Sequence, residues 1–245
     1  ISALRHTNVF HIRENNNGTL DFLTSHNGIY RYDTNSGHIW HFPFHECRAI
    51  VSLTDSQGNL WLGTLHGLYK WDTEKNEFRS IPLGNNQYKA VFTINDLTEQ
   101  TPGIICAGTD SGLFFYNDHH QTYEHYTAAY AQTGALNCNY INSLYTDREH
   151  NLWVSTYFGG VNYTSPYNHN FRTYEDINKK MGGHVVSSFA EDTKGGLWIS
   201  TEDGGIYYLN RKSRHITAYN PQEAQQPRID FFNVHALLFL SLIHI

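Results

Sequence analysis

The chain repeats itself, and that constrains its fold more than any other feature. Gly58-Asn59-Leu60-Trp61-Leu62-Gly63-Thr64 returns as Asn151-Leu152-Trp153-Val154-Ser155-Thr156 and as Gly196-Leu197-Trp198-Ile199-Ser200-Thr201. Weaker copies are Gly18-Thr19-Leu20-Asp21-Phe22-Leu23-Thr24 and Gly103-Ile104-Ile105-Cys106-Ala107-Gly108-Thr109. The closing threonines, Thr24, Thr64, Thr109, Thr156 and Thr201, recur about every 45 residues, which is the length of one β-propeller blade.

Each copy continues on both sides. An apolar run ending in an acidic turn precedes it, as in Val51 to Asp55, Ile141 to Asp147 and Val185 to Asp192. A glycine and another strand follow, at Gly28-Ile29-Tyr30, Gly67-Leu68-Tyr69, Gly112-Leu113-Phe114, Gly160-Val161-Asn162 and Gly205-Ile206-Tyr207. A shorter piece such as Phe171-Arg172-Thr173-Tyr174 completes four strands per unit. The expected fold is therefore all-β: an incomplete β-propeller of about five four-stranded blades plus part of a sixth. The blades are expected near 9–46, 47–88, 89–137, 138–181 and 182–230, with a stub at 231–239.

The turns have a mechanism. In Asp55-Ser56-Gln57-Gly58-Asn59 the carboxylate can accept from amides further along, while Gly58 supplies a positive φ. His150 stands at the glycine position of the Asp147 copy, which predicts a strained turn. Apolar residues on both faces of Leu60-Trp61-Leu62-Gly63-Thr64 suit a strand covered by neighbours on both sides. Trp61, Trp153 and Trp198 are then structural residues that fill the space between blades, and Gly67, Gly112, Gly160 and Gly205 are structural turn residues. A solenoid is disfavoured by four strand-like pieces per unit without helical periodicity. The Trp-Asp dipeptide of WD repeats occurs only at Trp71-Asp72, and the Asp-to-Gly and Asp-to-Trp spacings miss those of the sialidase Asp-box.

Composition excludes several functions. With 17 Lys+Arg against 23 Asp+Glu and no basic cluster, nucleic acid is not an expected partner. Cys47, Cys106 and Cys138 have neither zinc-finger spacing nor an even count. The 16 histidines are scattered, without an HExxH motif or two-histidine strand spacing, so neither a metal nor another cofactor is expected.

The pattern of Asp, Gly-Asn-Leu-Trp-Leu-Gly-Thr and Gly-Leu-Tyr resembles the two-component regulator propeller repeat, with Asp21 and Cys106 departing at Trp positions. Val154 to Tyr163 looks like the sensor ectodomains of hybrid two-component systems of Bacteroidetes. The resemblance implies a seven-bladed parent with a second propeller, at the periplasmic face of the inner membrane. It further implies histidine kinase activity in a dimeric parent that senses glycan fragments and controls polysaccharide-utilisation genes. The fragment itself is not expected to be an enzyme. The chain begins with Ile1 rather than Met and is read as cut from a longer propeller. Its last six residues, Leu240-Ser241-Leu242-Ile243-His244-Ile245, resemble the translation of a transposon end and are read as a non-native tail.

The turn joining the second and third strands shares a face with the links between blades. Its residues differ between copies while their flanks repeat, which leaves them free for binding. The ligand-binding candidates are Tyr157, Phe158, Glu202, Asp203, His66, Asp110 and His26, with a small oligosaccharide as the expected ligand. Exposed aromatics stack on sugar rings, which places Tyr157 and Phe158 first. Two other readings remain: a carbohydrate-active propeller enzyme (lyase or glycosidase), requiring a convergent acid/base pair, and a protein-binding scaffold.

Overall fold

The computed structural model describes residues 4, 7–15, 17–84, 92–129, 134–173, 185–222, 227 and 229–237. These form five four-stranded sheets, in each of which sequential strands pair as neighbours. The first contains β1 (Val9–Glu14), β2 (Thr19–Thr24), β3 (Ile29–Asp33) and β4 (Ile39–Phe42). The second contains β5 (Ala49–Thr54), β6 (Leu60–Thr64), β7 (Gly67–Asp72) and β8 (Glu77–Ile81). The third contains β9 (Ile94–Thr101), β10 (Ile104–Thr109), β11 (Gly112–Asn117) and β12 (Thr122–Tyr126). The fourth contains β13 (Ile141–Thr146), β14 (Leu152–Thr156), β15 (Gly160–Ser165) and β16 (Asn168–Thr173). The fifth contains β17 (Val186–Glu191), β18 (Leu197–Thr201), β19 (Ile206–Asn210) and β20 (His215–Tyr219). The chain divides into two compact units, residues 1–110 with 114–125 and residues 111–113 with 126–245.

Residues 231–237 form no strand, but Val234 N–H donates to the Thr201 carbonyl at 2.9 Å. The expected blade boundaries at 88/89 and 181/182, the end of the stub and the 240–245 tail lie outside the described residues. Among the described residues no helix is long and apolar enough to cross a membrane.

The repeated aspartate performs two tasks. In the second sheet, Asp55 Oδ1 accepts the backbone N–H groups of Gln57 (3.0 Å) and Asn59 (2.8 Å), closing the β5–β6 turn. Its Oδ2 accepts the Asn59 amide (2.9 Å) and the Trp61 indole N–H (2.8 Å). Asp147 repeats this with Glu149, Asn151 and Trp153. The carboxylate thus satisfies the one polar atom of a Trp whose remaining surface is apolar and covered. Gly58 and Gly195 supply the left-handed residue of this turn at φ 85° and 80°, and His150 holds it at φ 61°, as the sequence predicts.

The other turn is fixed by the closing threonine. Thr64 Oγ1 donates to the Gly67 carbonyl (2.9 Å) and accepts from His66 N–H (3.0 Å). Thr24, Thr156 and Thr201 make the same pair of bonds. Gly28 is needed for two reasons. Its φ is 78°, and a Cβ there would overlap the Phe42 carbonyl as the chain leaves the first sheet.

The core lies between sheets. Fully buried Trp61 belongs to a cluster with Leu97, Ile105 and Tyr116 of the third sheet. On the same strand face as Trp61, a Cβ on Gly63 would lie 2.7 Å from Ile94 Cγ2, so only glycine lets β9 come this close. In the second unit, Trp153 packs with Val186, Phe189 and Ile199 of the fifth sheet. Two copies replace the Trp. Asp21 is fully buried in a two-point ion pair with Arg31 (2.6 and 2.8 Å), and Arg31 also reaches Thr54 Oγ1 in the next sheet. Cys106 fills the other Trp position, where burial pushes its thiol pKa up, and all three cysteines are free.

The fifth sheet alters the pattern in a coupled way. Gly196 stands where the second and fourth sheets have Asn59 and Asn151, and a Cβ there would overlap the Tyr208 ring. The Tyr208 hydroxyl takes the place of the missing amide on Asp192. Burial alone would raise the Asp192 carboxyl, but bonds from Gly196 N–H, the Tyr208 hydroxyl and Lys194 N–H outweigh it and hold the pKa below 3.8. The Trp198 indole N–H is buried without a partner among the described residues.

Two stability measurements follow. Asp55→Ala opens the turn and strands the Trp61 indole, so chemical denaturation should show a loss of about 3 kcal/mol, with Thr64→Val costing about 1 kcal/mol. His150→Gly removes a side chain from a left-handed position and should raise stability by about 0.5–1 kcal/mol.

Candidate ligand-binding face

Each second-to-third-strand turn is bonded to the link that enters its own sheet. The N–H of Ser25, Leu65, Asp110, Tyr157 and Glu202 donates to the carbonyl of Asn8, Arg48, Thr93, Tyr140 and Val185 respectively, at 3.0–3.4 Å. The acceptor lies seventeen positions earlier every time. Just inside the link, the first strand shifts register against the second, skipping Phe10, Ile50, Asn95, Asn142 and Ser187. Such shifts bend a strand and re-aim its side chains. Asn142 Nδ2 donates to the Val186 carbonyl (2.7 Å) and Ser187 Oγ to the Val234 carbonyl, so these residues reach toward the following segment. In each sheet the same strand end therefore carries a variable turn and a variable link on repeated backbone.

In the fourth sheet turn and link meet as an aromatic cluster. Tyr157 and Phe158 are exposed, Phe158 by 74%, and their rings lie edge to face at 4.5 Å. Exposed Tyr140 adds a third ring 5.4 Å from Tyr157. A half-buried amide supports the loop. Asn137 Nδ2 donates to the Gly159 carbonyl, while its Oδ1 accepts from Thr156 Oγ1 (3.0 Å) and Asn162 Nδ2 (2.8 Å). A Cβ on Gly159 would overlap this amide.

The first unit presents a different surface. An open cavity of about 680 Å³ is lined by Ser25, His26, His45, Cys47 and Arg48. One histidine of β4 and one of the following link pin the carbonyls of the His26 turn. His45 Nδ1 lies 2.8 Å from the His26 carbonyl, and His41 Nε2 lies 2.7 Å from the Asn27 carbonyl. A carbonyl only accepts, so both ring nitrogens carry hydrogen.

The remaining candidates are placed individually. His66 is exposed beside exposed Leu65. Asp110 is half-buried, and its Oδ1 is buried without a hydrogen-bond partner among the described residues. Glu202 is half-buried, with Oε1 3.8 Å from His235 Nδ1. Exposed Asp203 faces the Val185 N–H at 3.5 Å. Tyr140, His45 and Arg48 were missed by sequence reasoning because they lie in links, where no motif repeats. The seventeen-residue spacing back from each turn is the signal that finds Tyr140 and Arg48.

A tyrosine and a carboxylate from different sheets do converge, but at the opposite strand ends. Tyr145 donates to Glu191 at 2.8 Å. Arg211 pairs with both Glu191 and Asp147, and donates to the Gly195 carbonyl. Burial, then Glu191, pushes the Tyr145 phenol up. With both carboxylates engaged by one guanidinium, this group ties the fourth and fifth sheets together. Among the described residues, no cluster of His, Cys, Asp or Glu could hold a metal ion.

Comparisons with known proteins agree on the architecture. An extracellular domain assigned to a hybrid two component system of B. thetaiotaomicron superposes over 92% of this chain, with a TM-score of 0.70 and 22% identity. A streptogramin B lyase structure matches over 87% of this chain and 68% of its own, with a TM-score of 0.67 and 17% identity. A chain of the mitotic checkpoint complex matches over 85% of this chain and 63% of its own, with a TM-score of 0.58 and 14% identity. At these identities the likeness concerns the fold, and the fold is that of a β-propeller. The chain spans 30% of the length of the first of these structures. No curated protein matches it.

Residues 135–158 and 180–203 match the model described as two component regulator propeller. These two segments are similar to two component regulator propeller repeats. Both matched segments run from the link through the aspartate turn to the variable turn, ending on Phe158 and Asp203. The 58–64 copy, richest in repeat residues, lies outside them.

The amide under the aromatic loop can be tested by a double-mutant cycle. Gly159→Ala should cost about 1–3 kcal/mol through overpacking. In an Asn137→Ala background the same change should cost markedly less, because the clashing amide is gone.

Proposed function

We propose that this chain is the ligand-sensing propeller module of a longer signalling protein, and that its ligand is a small oligosaccharide. The observation that carries the reading is the exposed cluster of Tyr140, Tyr157 and Phe158. Phe158, 74% exposed, leaves most of its ring in water, and covering that ring with a ligand would be favourable. A pyranose ring, with one apolar face of C–H groups and a rim of hydroxyls, suits such a platform, and Tyr hydroxyls remain available for its rim. The Asn137 hydrogen bonds keep the loop ordered before binding, which lowers the entropic cost of capture.

The repeat type and the printed description of the B. thetaiotaomicron domain support placing the parent among hybrid two-component systems. In that setting the propeller lies in the periplasm, joined to a second propeller and anchored at the inner membrane. Its dimeric parent carries the histidine kinase and controls genes for polysaccharide use. Ligand bound on the aromatic face would signal through its different affinity for two packings of the propellers.

Titration calorimetry of the chain against a panel of neutral oligosaccharides provides the test. At least one should bind, and Tyr157→Ala and Phe158→Ala should each weaken it tenfold or more, about 1.4 kcal/mol, without lowering the melting temperature. Unchanged affinity in both variants would exclude this face as the site.

A further inference from the structure

The cavity of the first unit has chemistry that the aromatic cluster lacks. Among its lining residues, Ser25, His26, His45, Cys47 and Arg48, there is no carboxylate. Arg48 is exposed, with its guanidinium over the Phe10 ring at 4.9 Å. That contact engages the positive charge with the ring, and among the described residues no acceptor takes the guanidinium N–H groups, which suit a planar or tetrahedral anion. Among the described residues no carboxylate pairs with Arg48. Glu46 in the same link instead accepts the Tyr69 hydroxyl at 2.9 Å.

The other lining groups suit hydroxyls. Because His45 Nδ1–H is committed to the His26 carbonyl, neutral His45 presents Nε2 as an acceptor. His26 and Ser25 add polar groups on a turn that is pinned at two carbonyls. A metal is disfavoured, since the guanidinium repels it and no suitable cluster exists among the described residues. The volume, about 680 Å³, is in the usual range for small-molecule sites.

We infer that this cavity binds an acidic sugar unit, with Arg48 holding its carboxylate or sulfate group and His45, His26 and Ser25 meeting its hydroxyls. The inference rests on the oligosaccharide reading above and narrows it to anionic glycans. It concerns a site separate from the aromatic cluster.

The test is titration of the full chain with D-glucuronate, glucose 6-sulfate, glucose and inorganic sulfate. At least one of the charged sugars should bind tenfold or more tighter than both glucose and free sulfate, and Arg48→Gln should abolish that preference. Which of the two wins assigns the group as carboxylate or sulfate. Equal binding of glucose, no binding of either charged sugar, or an Arg48→Gln variant with the preference intact would overturn the inference. Sulfate binding as tightly as the charged sugars would mean an adventitious ion only, and would overturn it too. The exposed position of Arg48 keeps the variant folded, which its circular dichroism should confirm. Neutral oligosaccharides that bind through Tyr157 while the charged sugars show no preference would sink this inference and leave the sensing proposal standing.

Discussion

One carboxylate organises each well-formed repeat. Asp55 closes a hairpin with one oxygen and holds the Trp61 indole with the other. Local turn chemistry and long-range packing thereby meet in one side chain. The Trp can fill the space against the third sheet only because its N–H is satisfied, since an orphaned buried donor would cost about 1–3 kcal/mol. Asp147 and Trp153 do the same against the fifth sheet. In the first sheet, where the pair is missing, another polar solution appears in the same place. Asp21 and Arg31 form a buried ion pair, stitched to the next sheet through Thr54.

A second layer of ties sits beside this one. The residue just before the turn position is Glu99 in the third sheet and Glu191 in the fifth, and each reaches back to the preceding sheet. Glu99 accepts Ser56 N–H (2.7 Å) and its hydroxyl (3.0 Å), while Glu191 accepts Tyr145 and pairs with Arg211. Lys70, over the Trp61 ring, pairs with Asp118 at 2.6 Å. Charges at this end are therefore spent on joining sheets, which argues against reading the Tyr145–Glu191 meeting as an acid/base pair.

Much of this was legible because repetition exposes what a backbone demands. Gly58, Thr64 and Trp61 recur since a positive φ, a capped turn and an inter-sheet filler each admit few residues. The strain at His150 was legible for the same reason. Substitutes were harder to read. Nothing in the local sequence says that Asp21 finds Arg31, or that Tyr208 replaces an asparagine amide where Gly196 makes room. The register shifts at Asn142 and Ser187 leave no compositional trace, because a skipped residue has no cross-strand register partner that would restrict its type.

Binding residues are the least legible for a physical reason that the two turns of a sheet make plain. At the aspartate end, side chains hold the turn, so sequence and structure are locked together. At the threonine end, Thr64 and Gly67 hold the turn from its flanks, and the link carbonyl holds it from beneath. The two residues between are then irrelevant to folding. The same backbone bond frees the link residue as well, since only its carbonyl is used. The bond between Tyr140 and Tyr157 runs through backbone N–H and C=O, so it accepts almost any residue at either position, and their ring contact is an addition to it. An aromatic cluster there, and an arginine fork at the matching Arg48 position, therefore call for an explanation outside stability, and ligand binding supplies one.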